Sequence, residues 1–208
     1  MYRPAAFAVD DLAKLHACIR RRAFATVAMI SEGAIELAYA PVLVDAQAGP
    51  NGSLRFHLAR NNPVSQKADR ARLVISFVGP DSYISPDWYR SQGMVPTWNY
   101  IAIEGRGVAR KLTGGELLQL LADLSAEQER HLLPKKPWML DKVPEQRLSV
   151  LMNSIDGFEV LLESLSGKFK LSQNIKKEDF DGALRGLEAR GDAASAAVAN
   201  EMRKTIVP

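Results

Sequence analysis

FATVAMI (Phe24 to Ile30), then Glu32-Gly33, then IELAYAPVLVD (Ile35 to Asp45) is the stretch whose reading decides the fold. Two runs rich in β-branched and apolar residues flank a short turn, which predicts an antiparallel hairpin. QAGPNGS follows as turn chemistry and leads into SLRFHLA, a strand over Ser53 to Ala59. ARLVISFVG (Ala71 to Gly79) is a nearly continuous apolar strand. NYIAIEGRGVARK (Asn99 to Lys111) is another, with Gly105 and Gly107 suggesting a bulge or sharp bend. GFEVLLESLSGKFKL (Gly157 to Leu171) alternates as a last long strand.

Helices bracket these strands. Asp10 is a candidate N-cap for a helix carrying Leu12, Leu15 and Ile19 on one stripe. Thr113 caps a helix with Leu117, Leu120, Leu121 and Leu124. Pro144 suits a first helical position before Leu148, Leu151, Met152 and Ile155. Two short helices end the chain, the first stopped by Gly191 and the second started by Asp192. Strands joined by hairpin-length turns exclude a parallel βαβ layout. The expected class is α+β, mainly β: a six-stranded antiparallel barrel with flanking helices. Residues 1–175 would form the barrel domain, with a helical segment over 176–208 packed on it.

With 208 residues, 47% hydrophobic and 25% charged, the chain can bury a sizeable core and remain soluble. No apolar run reaches the roughly 20 residues of a membrane span, and the N-terminus lacks a secretory leader's pattern, so the expected address is the cytoplasm. A single cysteine, Cys18, excludes an intrachain disulfide and a cysteine-built metal cluster. The three histidines show no metal-ligand spacing, and no metal is expected. No GxSxG elbow occurs, and Gly105-Arg106-Gly107 lacks the third glycine of a dinucleotide loop. A net charge of +3 mildly favours anionic partners; the dense basic patches, Arg20-Arg21-Arg22 and Lys176-Lys177, read as solvated helix ends.

Four segments carry more polar specificity than a strand or loop needs. HLARNNP (His57 to Pro63) packs an imidazole, a guanidinium and two carboxamides into one turn, followed by Ser65, Gln66 and Lys67. Such a donor cluster suits a phosphate. GPDSYISPDWY (Gly79 to Tyr89) reads as a proline-stiffened turn region presenting Tyr83, Trp88 and Tyr89. VPTWNY (Val95 to Tyr100) places Trp98 and Asn99 at a strand entry, with Tyr100 expected in the core. GKFKLSQN (Gly167 to Asn174) alternates Lys168 and Lys170 on one face and ends in Ser172, Gln173 and Asn174, where Ser172 is a candidate helix cap. Phosphate donors, rigid aromatics and strand-end amides together suit flavin mononucleotide, although a nucleotide or pyridoxal phosphate has similar needs.

MYRPAAF, HLARNNP, GPDSYISPDWY, VPTWNY and KFKLSQN, in this order and spacing, resemble the PaiB-like FMN-binding negative transcriptional regulators, over roughly Met1 to Leu187. The resemblance implies an FMN-binding split barrel that forms a homodimer with flavin at the subunit interface. Carried over, Ala38, Tyr39, Ala40, Pro41 and Val42 run beside the flavin ring. His57, Leu58, Ala59, Arg60 and Asn62 line the phosphate and ribityl side. Trp98 and Asn99 approach from the partner subunit, and Lys170 and Gln173 add contacts from the last strand. The chain departs from the family where Ala38-Tyr39-Ala40-Pro41 replaces a Thr-His-Leu-Pro run, where Phe56 replaces Gly, and where Ser65 replaces Trp. Tyr39 thereby removes a donor that titrates near neutral pH.

The function the resemblance implies is negative regulation of transcription, with DNA as a candidate partner, although no helix-turn-helix or basic stripe stands out. The competing readings are a flavin-dependent oxidoreductase using NAD(P)H on the open ring face, and a flavin-binding redox sensor without turnover.

Overall fold

At the tip of the first hairpin Glu32 and Gly33 take φ of 54° and 81°. Positive φ at both residues of a two-residue loop matches the right-handed twist of the strands it joins. The computed structural model describes residues 1–205. It contains β1 (Ala8–Val9), α1 (Leu12–Arg21), β2 (Phe24–Ser31), β3 (Ala34–Asp45) and β4 (Ser53–Ala59), then α2 (Pro63–Lys67), β5 (Arg72–Ile84), β6 (Thr97–Lys111) and α3 (Gly114–Glu129). The chain continues with α4 (Glu145–Met152), β7 (Ile155–Lys170), α5 (Lys177–Arg190) and α6 (Ala193–Arg203).

The strands pair in the order β1-β7-β4-β3-β2-β5-β6, and a further pairing joins β6 to β7. Six strands, β2 to β7, therefore form a closed ring, with β1 as a short addition to β7. The recorded registers, including Ser31↔Ala34, Val42↔Phe56, Phe56↔Phe158 and Val27↔Ile75, are all antiparallel. This is the six-stranded α+β barrel class expected from the hairpin pattern. The chain divides into two compact units, one of residues 1–11, 78–103 and 166–205, the other of residues 12–77 and 104–165.

In the 12–77/104–165 unit, alternation decides which side chains are inside. Val27, Ala38, Ala40, Val42, Leu54, Phe56, Leu58, Leu73, Ile75, Phe158 and Val160 are buried. Phe56 and Phe158, directly opposite in register, place their rings 5.7 Å apart. Burial of each such side chain contributes about 1.5–3 kcal/mol. On the other face of the sheet α3 lies over Leu43, with Leu112, Leu117, Leu120 and Leu124 in one cluster. Its start is fixed by a capping box: Glu116 N–H donates to Thr113 Oγ1 and Thr113 N–H to the Glu116 carboxylate at 2.8 Å. The Arg110 guanidinium and these Thr113 donors hold the Glu116 carboxyl down at about 2.

In the other unit, α5 approaches Trp88 through glycine. A Cβ on Gly182 would lie 2.0 Å from the Trp88 carbonyl, and one on Gly186 would lie 2.1 Å from the Trp88 ring. Asp179 of α5 is buried and accepts from Arg90 N–H, Ser91 N–H and Ser91 Oγ at 2.8, 2.9 and 2.7 Å. These donors hold its carboxyl below the usual range.

Several local expectations change. Gly79 to Ile84 is not a turn region but the second half of β5. Gly79 is needed there for packing, because a Cβ would lie 2.7 Å from the Ile101 Cβ. Gly105 and Gly107 lie within the single strand β6, and both are sites of close approach. Pro144 precedes α4 as its N-cap. Ser172 does not cap α5, whose N-cap is Lys176. At Gly107 a Cβ would stand 2.2 Å from the Leu161 carbonyl oxygen. Gly107→Ala should therefore destabilise the fold by about 2–3 kcal/mol, read as a lower urea midpoint at unchanged m-value. An unchanged midpoint would show that β6 and β7 can separate freely at this point.

Candidate functional site

Ala38 to Val42 and His57 to Asn62 lie in the 12–77/104–165 unit; Trp98, Asn99, Lys170 and Gln173 lie in the other. Within β3 the side chains of Ala38, Ala40 and Val42 point into the core, so the stretch from Ala38 to Val42 offers outward only Tyr39, Pro41 and backbone. Tyr39 is 62% exposed. It stands opposite Thr26, as Leu37 stands opposite Ala28 and Ile35 opposite Ile30. Opposed residues share a face. Phe24, Ile30, Ile35, Leu37 and Tyr39 thus make one exposed apolar surface on the β2–β3 hairpin. Large apolar side chains gathered in this way mark a binding surface.

The donor-rich turn after β4 has a different structure from the expected open phosphate loop. Asn62 caps α2, its Oδ1 accepting from Val64 N–H at 2.9 Å. Arg60 Nε donates to Asp156 Oδ1 at 3.3 Å, Ser65 Oγ donates to Asp156 Oδ2 at 3.2 Å, and Lys111 Nζ lies 2.9 Å from Asp156 Oδ1. The cluster already holds an anion, the buried carboxylate of Asp156. Burial alone would raise the Asp156 pKa, but Lys111, Ser65 and Arg60 outweigh it and lower the pKa. Sequence reasoning does not single out Asp156; its signal is an acid set between Ile155 and Gly157 at the head of the last strand. Arg60 keeps unused donors and a half-exposed side chain, and Lys67 is held only loosely, 3.8 and 3.9 Å from Glu32 and Glu36.

His57 stands opposite Gly157, where a Cβ would lie 2.9 Å from Leu117 Cδ1 and 3.0 Å from Leu112 Cδ1. Its imidazole therefore shares the face that α3 covers. Nδ1 is buried without a hydrogen-bond partner, and burial lowers the imidazole pKa. Leu58 is buried and Ala59 exposed at the strand end.

In the other unit, Trp98 is 52% exposed and meets Tyr83 edge-on at 6.3 Å. Asn99 is fully buried. Its Nδ2 donates to Ser172 Oγ at 2.8 Å and approaches Met202 Sδ at 3.4 Å, while its Oδ1 accepts from Ser172 at 3.1 Å. The amide is thus engaged at both ends, joining β6 to the end of β7 and to α6. Gln173 turns back on its own strand, accepting from Leu171 N–H and donating to Phe169 O. Lys170 Nζ donates to Thr97 Oγ1 and to the Trp98 carbonyl. Tyr100 is only half-buried, with Lys168 Nζ 5.4 Å from its ring centroid.

Residues 1–164 match the family model described as "Putative FMN-binding domain". The chain belongs to this FMN-binding family. It is 28% identical over 189 residues to the Bacillus subtilis protein "Protease synthase and sporulation protein PAI 2", covering 90% of this chain and 89% of that one. An uncharacterised protein of Emericella nidulans is 27% identical over 205 residues, covering 82% of each chain. Among solved structures, the FAD and heme binding protein from Mycobacterium smegmatis superposes with a TM-score of 0.60 at 13% identity, covering 84% of this chain and 78% of that one. The flavocytochrome Anf3 from Azotobacter vinelandii gives 0.58 at 14%, covering 87% and 78%. These likenesses are ones of fold.

The cofactor of the family is FMN, and the residues present fit it. A flavin needs an apolar surface for its ring and cations for its phosphate. The bare β2–β3 face would provide the first, and the unused donors of Arg60 with the loosely held Lys67 would provide the second. Bound there, FMN would supply redox chemistry that no side chain has.

His57 yields a pH prediction. Its folded pKa lies below the ordinary 6.5, so the unfolded chain binds more protons between the two values. Stability should be constant above the unfolded value and fall as pH drops through it towards the folded one. Urea midpoints at pH ~7.5 and ~5.5 should differ more in the wild type than in His57→Gln. Equal slopes in the two proteins would remove His57 from this role.

Proposed function

We propose that two copies of the chain associate through the apolar β2–β3 face, hold FMN against it, and act in the cytoplasm as a flavin-loaded repressor of transcription. The observation that carries this reading is the exposure of Phe24, Ile30, Ile35, Leu37 and Tyr39 on one side of one hairpin. A sheet face of this composition is stabilised by a partner, and a two-fold pair would cover both copies at once. Tyr39 and Pro41 would lie beside the ring, with Arg60 and Lys67 towards the phosphate. Trp98 of the partner subunit would supply aromatic cover, its side chain being exposed beside Tyr83 within its own unit. The regulatory half of the reading follows the family resemblance and is supported by the exposed Arg20-Arg21-Arg22 cluster at the end of α1. A dimer would present two such clusters to DNA phosphates.

Leu37→Asp places a charge on the face without touching the core. It should convert the purified dimer to a monomer in light scattering and abolish the flavin absorption bands together. A wild-type monomer that carries FMN with undiminished affinity would overturn the dimer. A flavin-loaded dimer that shows no salt-sensitive shift of its own promoter DNA, and whose spectrum NADPH bleaches, would replace repression with reductase activity.

A further inference from the structure

One cavity has chemistry that the β2–β3 face and the turn after β4 do not use. It lies in the unit of residues 1–11, 78–103 and 166–205 and has a volume of about 230 Å³. Its polar wall comprises Tyr89, Thr97, Lys170 and Ser172, with Asn99 and Asn174 beside them. Its apolar wall comprises Met94, Val95 and Ile175. Lys170 is the only formally charged side chain among the lining residues.

The partners of Lys170 are neutral: the Thr97 hydroxyl and, at 3.0 Å, the Trp98 carbonyl. An ammonium carries three donors, so one remains for a ligand. No carboxylate pairs with Lys170 among the described residues, in contrast to Arg60 and Lys111, which share Asp156, and Arg110, which has Glu116 and Glu159. Burial lowers the Lys170 pKa, Tyr100 opposes that, and the neighbouring Lys168 adds to it. A half-buried cation lacking a counter-charge is costly to maintain. Nearby, Ser172 holds φ of 62°, a left-handed conformation unfavourable for a residue with a Cβ. The strain places its hydroxyl between Asn99 and the Tyr89 phenol, whose own pKa is raised by burial and by the Asp179 charge against that hydrogen bond.

We infer that this cavity binds a small organic monoanion, its carboxylate taken by Lys170 and its short aliphatic tail by Met94, Val95 and Ile175. The small volume suits a short acid, and the single cation suits one carboxylate. The site stands on this unit's own geometry and assigns Lys170 to the anion instead of to flavin.

The test uses the full-length protein as purified, titrated with butyrate and followed by amide NMR and, in parallel, by flavin absorption. Saturable shifts are expected at Thr97, Trp98 and Ser172. Butyramide, the same shape without the charge, should bind about tenfold more weakly or less, as should butyrate to Lys170→Met. Val95→Trp, which fills the cavity from its exposed rim, should block butyrate while leaving the amide spectrum dispersed and folded. The inference is overturned if no shift saturates, if butyramide or Lys170→Met matches the wild-type titration, or if inorganic phosphate binds more tightly than butyrate. It is also overturned if butyrate displaces flavin, which would return Lys170 to the cofactor. Loss of flavin binding in Leu37→Asp with butyrate binding intact would separate this site from the proposed dimer face.

Discussion

Strand β6 meets β7 at Gly107 with no side chain between them, and the closed ring of six strands depends on that contact. Any Cβ at Gly107 would stand 2.2 Å from the Leu161 carbonyl oxygen, far inside van der Waals contact, and one at Gly105 would press on Leu162 and Leu54. With hydrogen there instead, β6 can pair with β7 as well as with β5. A ring has no free edges at the strands it joins, which removes the unpaired donors and acceptors that make open sheets associate. It also fixes two sides for each strand, an inner one that must be apolar and an outer one that need not be. The outer side is covered by α3 around Leu43, and is bare along the β2–β3 hairpin.

Much of this was legible in the sequence because alternation and turn chemistry agree. The limits of β4 fall at Ser53 and Ala59 as read, and Glu32-Gly33 is the hairpin turn. One failure arises because glycine and proline do not always mean a turn. Gly79-Pro80 reads as chain reversal, yet Gly79 is there because Ile101 leaves no room for a Cβ. The sequence shows the missing side chain but not the neighbour that requires it to be missing. The two-residue β1 has no periodicity to detect, and it exists only through its pairing with Lys168 and Gly167. Ser172 illustrates the same limit for polar residues: its hydroxyl serves Asn99, 73 positions away, and not the helix that follows it.

The candidate site was less legible than the fold, since a cluster of donors does not announce its acceptor. Arg60 and Ser65 read as a phosphate turn, and the structure supplies them with Asp156, 96 and 91 residues further along. Asn99 read as an amide for a ligand, and the structure gives it Ser172 and Met202. In each case the long-range partner was invisible because nothing local demands it. What remains for FMN is apolar surface and surplus cation donors, which is the part of a flavin site that side-chain type alone can describe.

Pairing therefore separates two kinds of cation in this protein. Lys111 and Arg60 neutralise a carboxylate that burial would otherwise protonate, and their removal would leave that charge uncompensated. Lys170 has the reverse relation to its surroundings, because burial works against its own charge and only neutral oxygens reach it. A folded chain tolerates such a group when some other interaction returns the lost hydration. The Thr97 hydroxyl and the Trp98 carbonyl are part of that compensation, and an anion in the adjoining cavity would complete it. Ser172 lies past the end of β7 and is not the N-cap of α5, and its left-handed backbone holds the hydroxyl against Asn99.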